Sequence, residues 1–307
     1  LYYNITSQTE SLPMRRRLFV YICLIFLVSP PTQAEDDFSV AVTIKPLHAL
    51  VAGVMKGAGE PVLIMNTGAS PHHYSLRPSE RRALSDASLI VWVGPELEGF
   101  MPRILESLTR PGNAIALIDA DGMLRLPARS SHGHEHAHGR VDPHIWLSAG
   151  NARAMVDIIA DELVRRDGGN AAVYESNRKR MHQRVTDTDQ QIRRMLSGKT
   201  AAFLSYHDAY QYFEHEYGLN NAGFVSDSDE LKPGARHVHE LRETIDTRQI
   251  HCLFYEAPNR PALVDTLIQD YPVNVQELDA MGINTGAGED AWFDIMTALA
   301  RAAGACL

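Results

Sequence analysis

The chain is short of cysteine, of positive charge and of long apolar runs, and each shortage excludes something. Three cysteines occur in 307 residues. Cys23 lies inside an apolar run, behind Val20, Tyr21 and Ile22. With no small residue to its left, it does not read as a lipid-attachment site. Cys252 and Cys306 are left, enough for one disulfide and no more. Lysine and arginine total 29 against 38 aspartates and glutamates, a formal charge of -9. Nucleic acid is therefore a poor partner, because its phosphates need a basic face to neutralise them. The apolar run at residues 18–28 is shorter than the roughly 20 residues that span a bilayer, so a permanent membrane helix is not expected.

That run has a different meaning in its setting. Three arginines follow Met14, and SPPTQA separates the apolar stretch from Glu35, which is the layout of a secretory signal peptide cut after Ala34. Residues 1–13 read as sequence upstream of a start at Met14, so residues 1–34 are set aside from the fold. In an exported chain two cysteines invite a disulfide. Joining Cys252 to Cys306 would be worth roughly 4 kcal/mol in the chain-entropy model. Two buried free thiols are the alternative.

The mature chain alternates β-branched runs with helical patterns. Strands are expected at 38–44, 61–65, 89–93 and 114–118, with helices at 45–56, 79–87 and 96–108 between them. Helices follow at 151–166 and 171–196. The alternation then resumes, with strands at 200–205, 221–225, 251–255 and 273–277. Such a pattern implies parallel sheets covered by helices, with ligands outside the carboxyl ends of the strands. The expected fold is α/β: two lobes with parallel sheets flanked by helices, joined by a long rigid helix. The boundaries fall at 35–166 for the first lobe with a histidine-rich loop at 130–140, 167–198 for the connecting helix, and 199–307 for the second lobe.

Histidine is where the chemistry gathers. SHGHEHAHG carries His132, His134, His136 and His138, and DPHIWLS adds His144. His72 in SPHHYSLRP and His207 in YHDAYQYFE stand in comparably distinctive settings far away. Neutral imidazole is the commonest protein ligand for zinc. We expect His72, His144 and His207 to follow strand ends at the cleft and converge on one metal ion. Asp279 is the candidate fourth ligand, with a role as a helix cap or turn residue as its alternative. His73 is expected to face away, as neighbours in extended chain do. Glu256 could orient a metal-bound histidine or be an exposed strand-end acid.

The loop histidines formally match HExxH, but that motif works only on a helix. Gly133 and Gly139 bracket a polar run too short to form one. A collecting loop that binds metal weakly is the better reading of His132, His134, His136 and His138. His237 and His239, two apart on a helix, cannot share a face.

SPHHYSLRPSE, LIVWVGPELEGF, the histidine-rich insertion followed by HIWLS, SYHDAYQYFE, PGARHVHELR and LDAMGIN occur in this order. Together they resemble the periplasmic zinc-binding subunit of bacterial high-affinity zinc ABC importers, from about residue 40 to the C-terminus. The resemblance implies Zn(II) held between two lobes by His72, His144 and His207 and delivered to a membrane permease, with no enzymatic step. It also implies a periplasmic location, and a monomer is expected. The Cys252 and Cys306 pair fits the zinc branch of that family. Its manganese branch normally has glutamate at the position of His207. Pro71 stands where some relatives carry a metal-reaching glutamate, which leaves Asp279 or water for the fourth position. The other readings are a secreted zinc hydrolase with Glu256 as its base, a protein for manganese or another divalent metal, and a zinc buffer whose loop does all the binding.

Overall fold

The computed structural model describes residues 1–3, 38–66, 68–108, 112–129, 140–226, 233–258 and 260–307. The signal segment at 14–34 and the loop residues His132, His134, His136 and His138 lie outside the described residues. Residues Phe38–Leu307 form one compact unit.

Its first part runs β1 (Val40–Val42), α1 (Lys45–Met55), β2 (Val62–Leu63), α2 (Pro78–Asp86), β3 (Leu89–Trp92), α3 (Met101–Glu106) and β4 (Ala114–Ala116). Two long helices follow, α4 (Ala149–Arg166) and α5 (Ala171–Met195). The second part runs β5 (Ala202–His207), α6 (Gln211–Tyr217), β6 (Asn220–Ser226), α7 (Ala235–Thr247), β7 (Cys252–Glu256), α8 (Ala262–Ile268), β8 (Asn274–Leu278) and α9 (Ala291–Cys306).

The two sheets share one topology. Their orders are β2-β1-β3-β4 and β6-β5-β7-β8, with every pairing parallel. In each, the chain winds one way from the first strand and the other way from the third. The carboxyl ends of β1 with β3, and of β5 with β7, are therefore the switch points where such sheets open a crevice. The Leu89–Trp92 strand is buried at every position, and β1 likewise. Continuous apolar runs of this kind are what a sheet covered on both faces requires.

The expected helix at 96–108 is cut down to α3. Glu98 is the reason. Its side chain is fully buried and accepts hydrogen bonds from the Thr43 hydroxyl (2.5 Å) and the backbone N–H groups of Val93 (3.3 Å) and Gly94 (3.0 Å). These bonds fold residues 93–98 back over the switch point of the first sheet. Gly94, at φ +153°, permits the approach, since a Cβ there would lie 2.4 Å from Ile118. A carboxyl pulled into this corner competes directly with a first helical turn.

Helix α5 is the spine. It buries Tyr174, Asn177, Met181, Val185, Asp189 and Ile192 along one stripe, as an amphipathic helix against a core should. Its first half meets α1. A Cβ on Gly53 would strike the Met181 sulfur at 2.4 Å, and Asn177 donates to the carbonyls of Val54 (2.9 Å) and Lys56 (2.8 Å), ending α1. Farther along, Arg184 pairs with Asp290 at 2.5 Å and stacks 3.9 Å over Phe293 in α9. Across the lobes, the Trp146 indole donates to the Ala280 carbonyl (2.9 Å) and the Trp292 indole to the Trp146 carbonyl (2.8 Å). One apolar core holds residues of both sheets, from Val40 and Val91 to Phe203 and Phe254. Lobes that share a core and a stiff helix have little freedom to swing.

A disulfide joins Cys252 and Cys306 with Cα atoms 5.8 Å apart. It ties the end of α9 to the start of β7.

Candidate metal centre

His72, His144 and His207 are brought together from three separate places, and each arrives by a different local device. Pro71 opens a single 3-10 turn, Pro71–His73, which sets the half-buried His72 ring against those of His144 and His207. His73 is exposed. The outcome matches the expectation for His73 but the cause differs, because this is a tight turn and not extended chain.

His144 does not follow a strand. Among the described residues, Val141 before it makes one isolated antiparallel bridge to Pro127. Asp142, 3% exposed, accepts both the His144 backbone N–H (3.0 Å) and its Nδ1 (2.7 Å) on one oxygen, Oδ1. A 3-10 turn, Ile145–Leu147, then leads to Ser148, whose hydroxyl accepts the Asn151 N–H at 3.1 Å and starts α4.

His207 is the last residue of β5. The β5 to β7 register pairs Ser205 with Phe254, so two residues on His207 falls beside Glu256. Its Nδ1 lies 2.7 Å from Glu256 Oε2. Of the two readings of Glu256, the orienting one is what the structure contains.

Nδ1 of His144 and His207 is thus occupied by a carboxylate, which fixes the tautomer and leaves Nε2 as the donor nitrogen. The three rings each offer a ligand atom, all within 4.8 Å of one another. Their centroids are 5.7 Å (His72 to His144), 5.9 Å (His72 to His207) and 5.3 Å (His144 to His207) apart, at interplanar angles of 63°, 76° and 78°. Three imidazoles bound at about 2 Å in tetrahedral directions would put their centroids about 5 Å apart. The trio is slightly wider than a closed site and needs only small side-chain motion to become one. His144 and His207 are nearly inaccessible, at 5% and 2% exposure.

Asp279 is not in this group. Its two oxygens accept the backbone N–H groups of Ile283 and Asn284, both at 2.9 Å, and so hold the turn after β8. Other described histidines have structural partners: His48 meets the Pro61 carbonyl, His182 meets Asp157, and His237 meets the Phe224 carbonyl.

The three rings border a cavity of about 580 Å³ whose walls include Glu96, Arg129, Arg140, Asp142 and Asp208. Backbone bonds between Ala128 N–H and the Arg140 carbonyl (3.0 Å) and between Asp142 N–H and the Leu126 carbonyl (2.9 Å) anchor residues 126–128 and 140–142 at this wall. Tyr212 braces the same ribbon, accepting the Leu126 N–H (3.0 Å) and donating to the Asp142 carbonyl (2.9 Å).

Sequence reasoning missed Asp142 and the pair Arg129 and Asp208. A signal for the first exists, an acid two residues before a candidate ligand in DPH. For the second there is none, since 79 residues separate the partners. Burial opposes the charge on Arg129, yet Asp208 and Glu214 outweigh it and hold the guanidinium above its ordinary range.

Comparison with known proteins places the chain in context. The model of a family described as the periplasmic zinc-uptake complex component A matches residues 40–306. A high-affinity zinc uptake system protein, ZnuA, of Brucella abortus is 31% identical, the alignment covering 89% of this chain and 93% of the relative. In fold, the solute-binding protein FpvC of Pseudomonas aeruginosa in complex with Mn2+ superposes with a TM-score of 0.76 at 20% identity, over 88% of this chain and 98% of that one. The Zn(II)-bound ZnuA-like domain of Streptococcus pneumoniae AdcA gives a TM-score of 0.70 at 23% identity, over 88% and 98%.

Proposed function

Because the chain belongs to the periplasmic zinc-uptake component A family, we propose that it captures Zn(II) in the periplasm and passes it to the membrane permease of an ABC importer. The ion sits between the lobes at 35–166 and 199–307, held by His72, His144 and His207, with the fourth position facing the cavity. The chain acts as a monomer, binds no nucleic acid and carries out no chemical step.

The observation that carries this reading is the near-tetrahedral spacing of three imidazole rings at the cavity. An all-nitrogen donor set suits zinc, whereas manganese prefers more oxygen. Glu256, the base a hydrolase would require, is committed to His207. The shared core and the α5 spine suit a carrier that binds with small motions.

The test is a zinc titration with elemental analysis on the purified chain. One tightly bound zinc is expected, lost on replacing His72, His144 or His207 by alanine. Tight binding that survives all three substitutions would refute the assignment. Affinity should also fall steeply as pH drops through the imidazole range, because protons compete for the same nitrogens.

A further inference from the structure

A carboxylate stands beside the three histidines and is held out of use. Asp208 directly follows His207 at the carboxyl end of β5, is 9% exposed, and lines the same cavity. Both of its oxygens are taken by Arg129: Nε lies 3.0 Å from Oδ1 and 3.1 Å from Oδ2, and Nη2 donates to Oδ1 as well. The remaining arm of the guanidinium, Nη1, donates to Glu214 at 2.8 Å. Glu214 is itself buried and fixed by Asn221 at 2.6 Å. The guanidinium carbon lies 5.6 Å from the Phe224 ring centre.

Resting on the zinc reading above, we propose that Arg129 is a positioning residue for metal selectivity, which keeps the Asp208 carboxylate away from the fourth coordination position of the His72, His144 and His207 centre. An ionised carboxylate next to a three-imidazole dication site is the ligand that the ion would recruit. Adding it would turn a three-nitrogen set into a mixed nitrogen and oxygen set and move preference toward oxygen-favouring ions such as Mn(II). A planar, permanently charged fork is the side chain able to hold both oxygens of one acid and one of a second. The other acids at the cavity are already placed: Asp142 serves His144, and Glu96 is exposed at the rim. With Arg129 gone, Asp208 would be a buried charge without compensation, and the metal would supply it.

The test compares the parent chain, Arg129→Gln and the double variant Arg129→Gln with Asp208→Asn, each loaded with Co(II) and titrated with Zn(II) and Mn(II). Arg129→Gln is expected to shift the visible absorption of the bound cobalt, as a carboxylate oxygen enters the fourth position. Mn(II) affinity relative to Zn(II) should rise by about 10- to 100-fold, the range of effects seen when partners of metal ligands change. The double variant should return both readouts toward the parent. A general loosening of the cavity would instead leave the double variant as altered as the single one, which would overturn the proposal. Should Arg129→Gln not fold, Arg129→Lys serves, since one ammonium cannot bridge Asp208 and Glu214 in this geometry. If the parent gives no histidine-dependent cobalt spectrum, the zinc centre and this inference fall together. A normal parent spectrum that is unchanged in the Arg129 variant overturns the inference alone.

Discussion

His207 and Glu256 end two adjacent parallel strands, β5 and β7, and their side chains meet at 2.7 Å where the second sheet reverses its winding. A ring that would otherwise rotate is thereby fixed in one tautomer by a neighbour 49 residues away.

Removing that neighbour's charge should therefore weaken metal binding without removing a ligand. For Glu256→Gln, zinc affinity is expected to fall about 10- to 100-fold, measured by competition with a chelator of known affinity. Asp142→Asn should act likewise through His144. Unchanged affinity in both variants would show that the carboxylates do not orient the rings.

Asp279 should behave in the opposite way. Its oxygens serve the N–H groups of Ile283 and Asn284, so Asp279→Ala should lower stability by about 1–3 kcal/mol. Zinc affinity should stay within a few-fold of the parent. A loss of affinity comparable to that of a histidine variant would make Asp279 a ligand after all.

Glu98 makes stability depend on pH. Burial pushes its carboxyl up to about 7, against the pull of the Thr43, Gly94 and Val93 hydrogen bonds. A folded pKa above the unfolded one means that the folded chain binds the extra proton. The stabilisation is complete below about 4.5 and is lost as pH rises through about 7, a change of roughly 3 kcal/mol. Denaturant midpoints should accordingly fall between pH 5 and 8 in the apo protein, and Glu98→Gln should flatten that slope. A slope identical in both proteins would place the titrating group elsewhere.

The disulfide closes a separation of 54 residues. Its reduction, or Cys306→Ser, should lower unfolding free energy by about 4 kcal/mol in the chain-entropy model. The pair lies at the start of β7 and not at the cavity, so zinc stoichiometry should remain at one. Loss of zinc from the folded, reduced chain would contradict this.

The repeating strand and helix pattern, the long α5 and the three ligand candidates were legible in the chain itself. Hydrophobic period reports which face of an element is covered, and α5 was expected at 171–196 and forms at Ala171–Met195. Where expectation failed, a long-range bond had overruled a local preference. The helix expected from 96 gave way because Glu98 is drawn to Thr43, 55 residues away. The turn at Pro71–His73 orients His72 by backbone geometry that alternation could not foresee.

By itself the sequence determined that two similar parallel sheets would form and that one imidazole, His207, would stand at the carboxyl end of a strand, because covalent neighbours and periodic burial suffice for that. Only the tertiary structure decided what each acid does: Glu256 and Asp142 hold rings, Asp279 holds a turn, and Asp208 is bound by Arg129. A carboxylate's role depends on which donor lies within about 3 Å, and folding sets that distance between residues far apart in the chain.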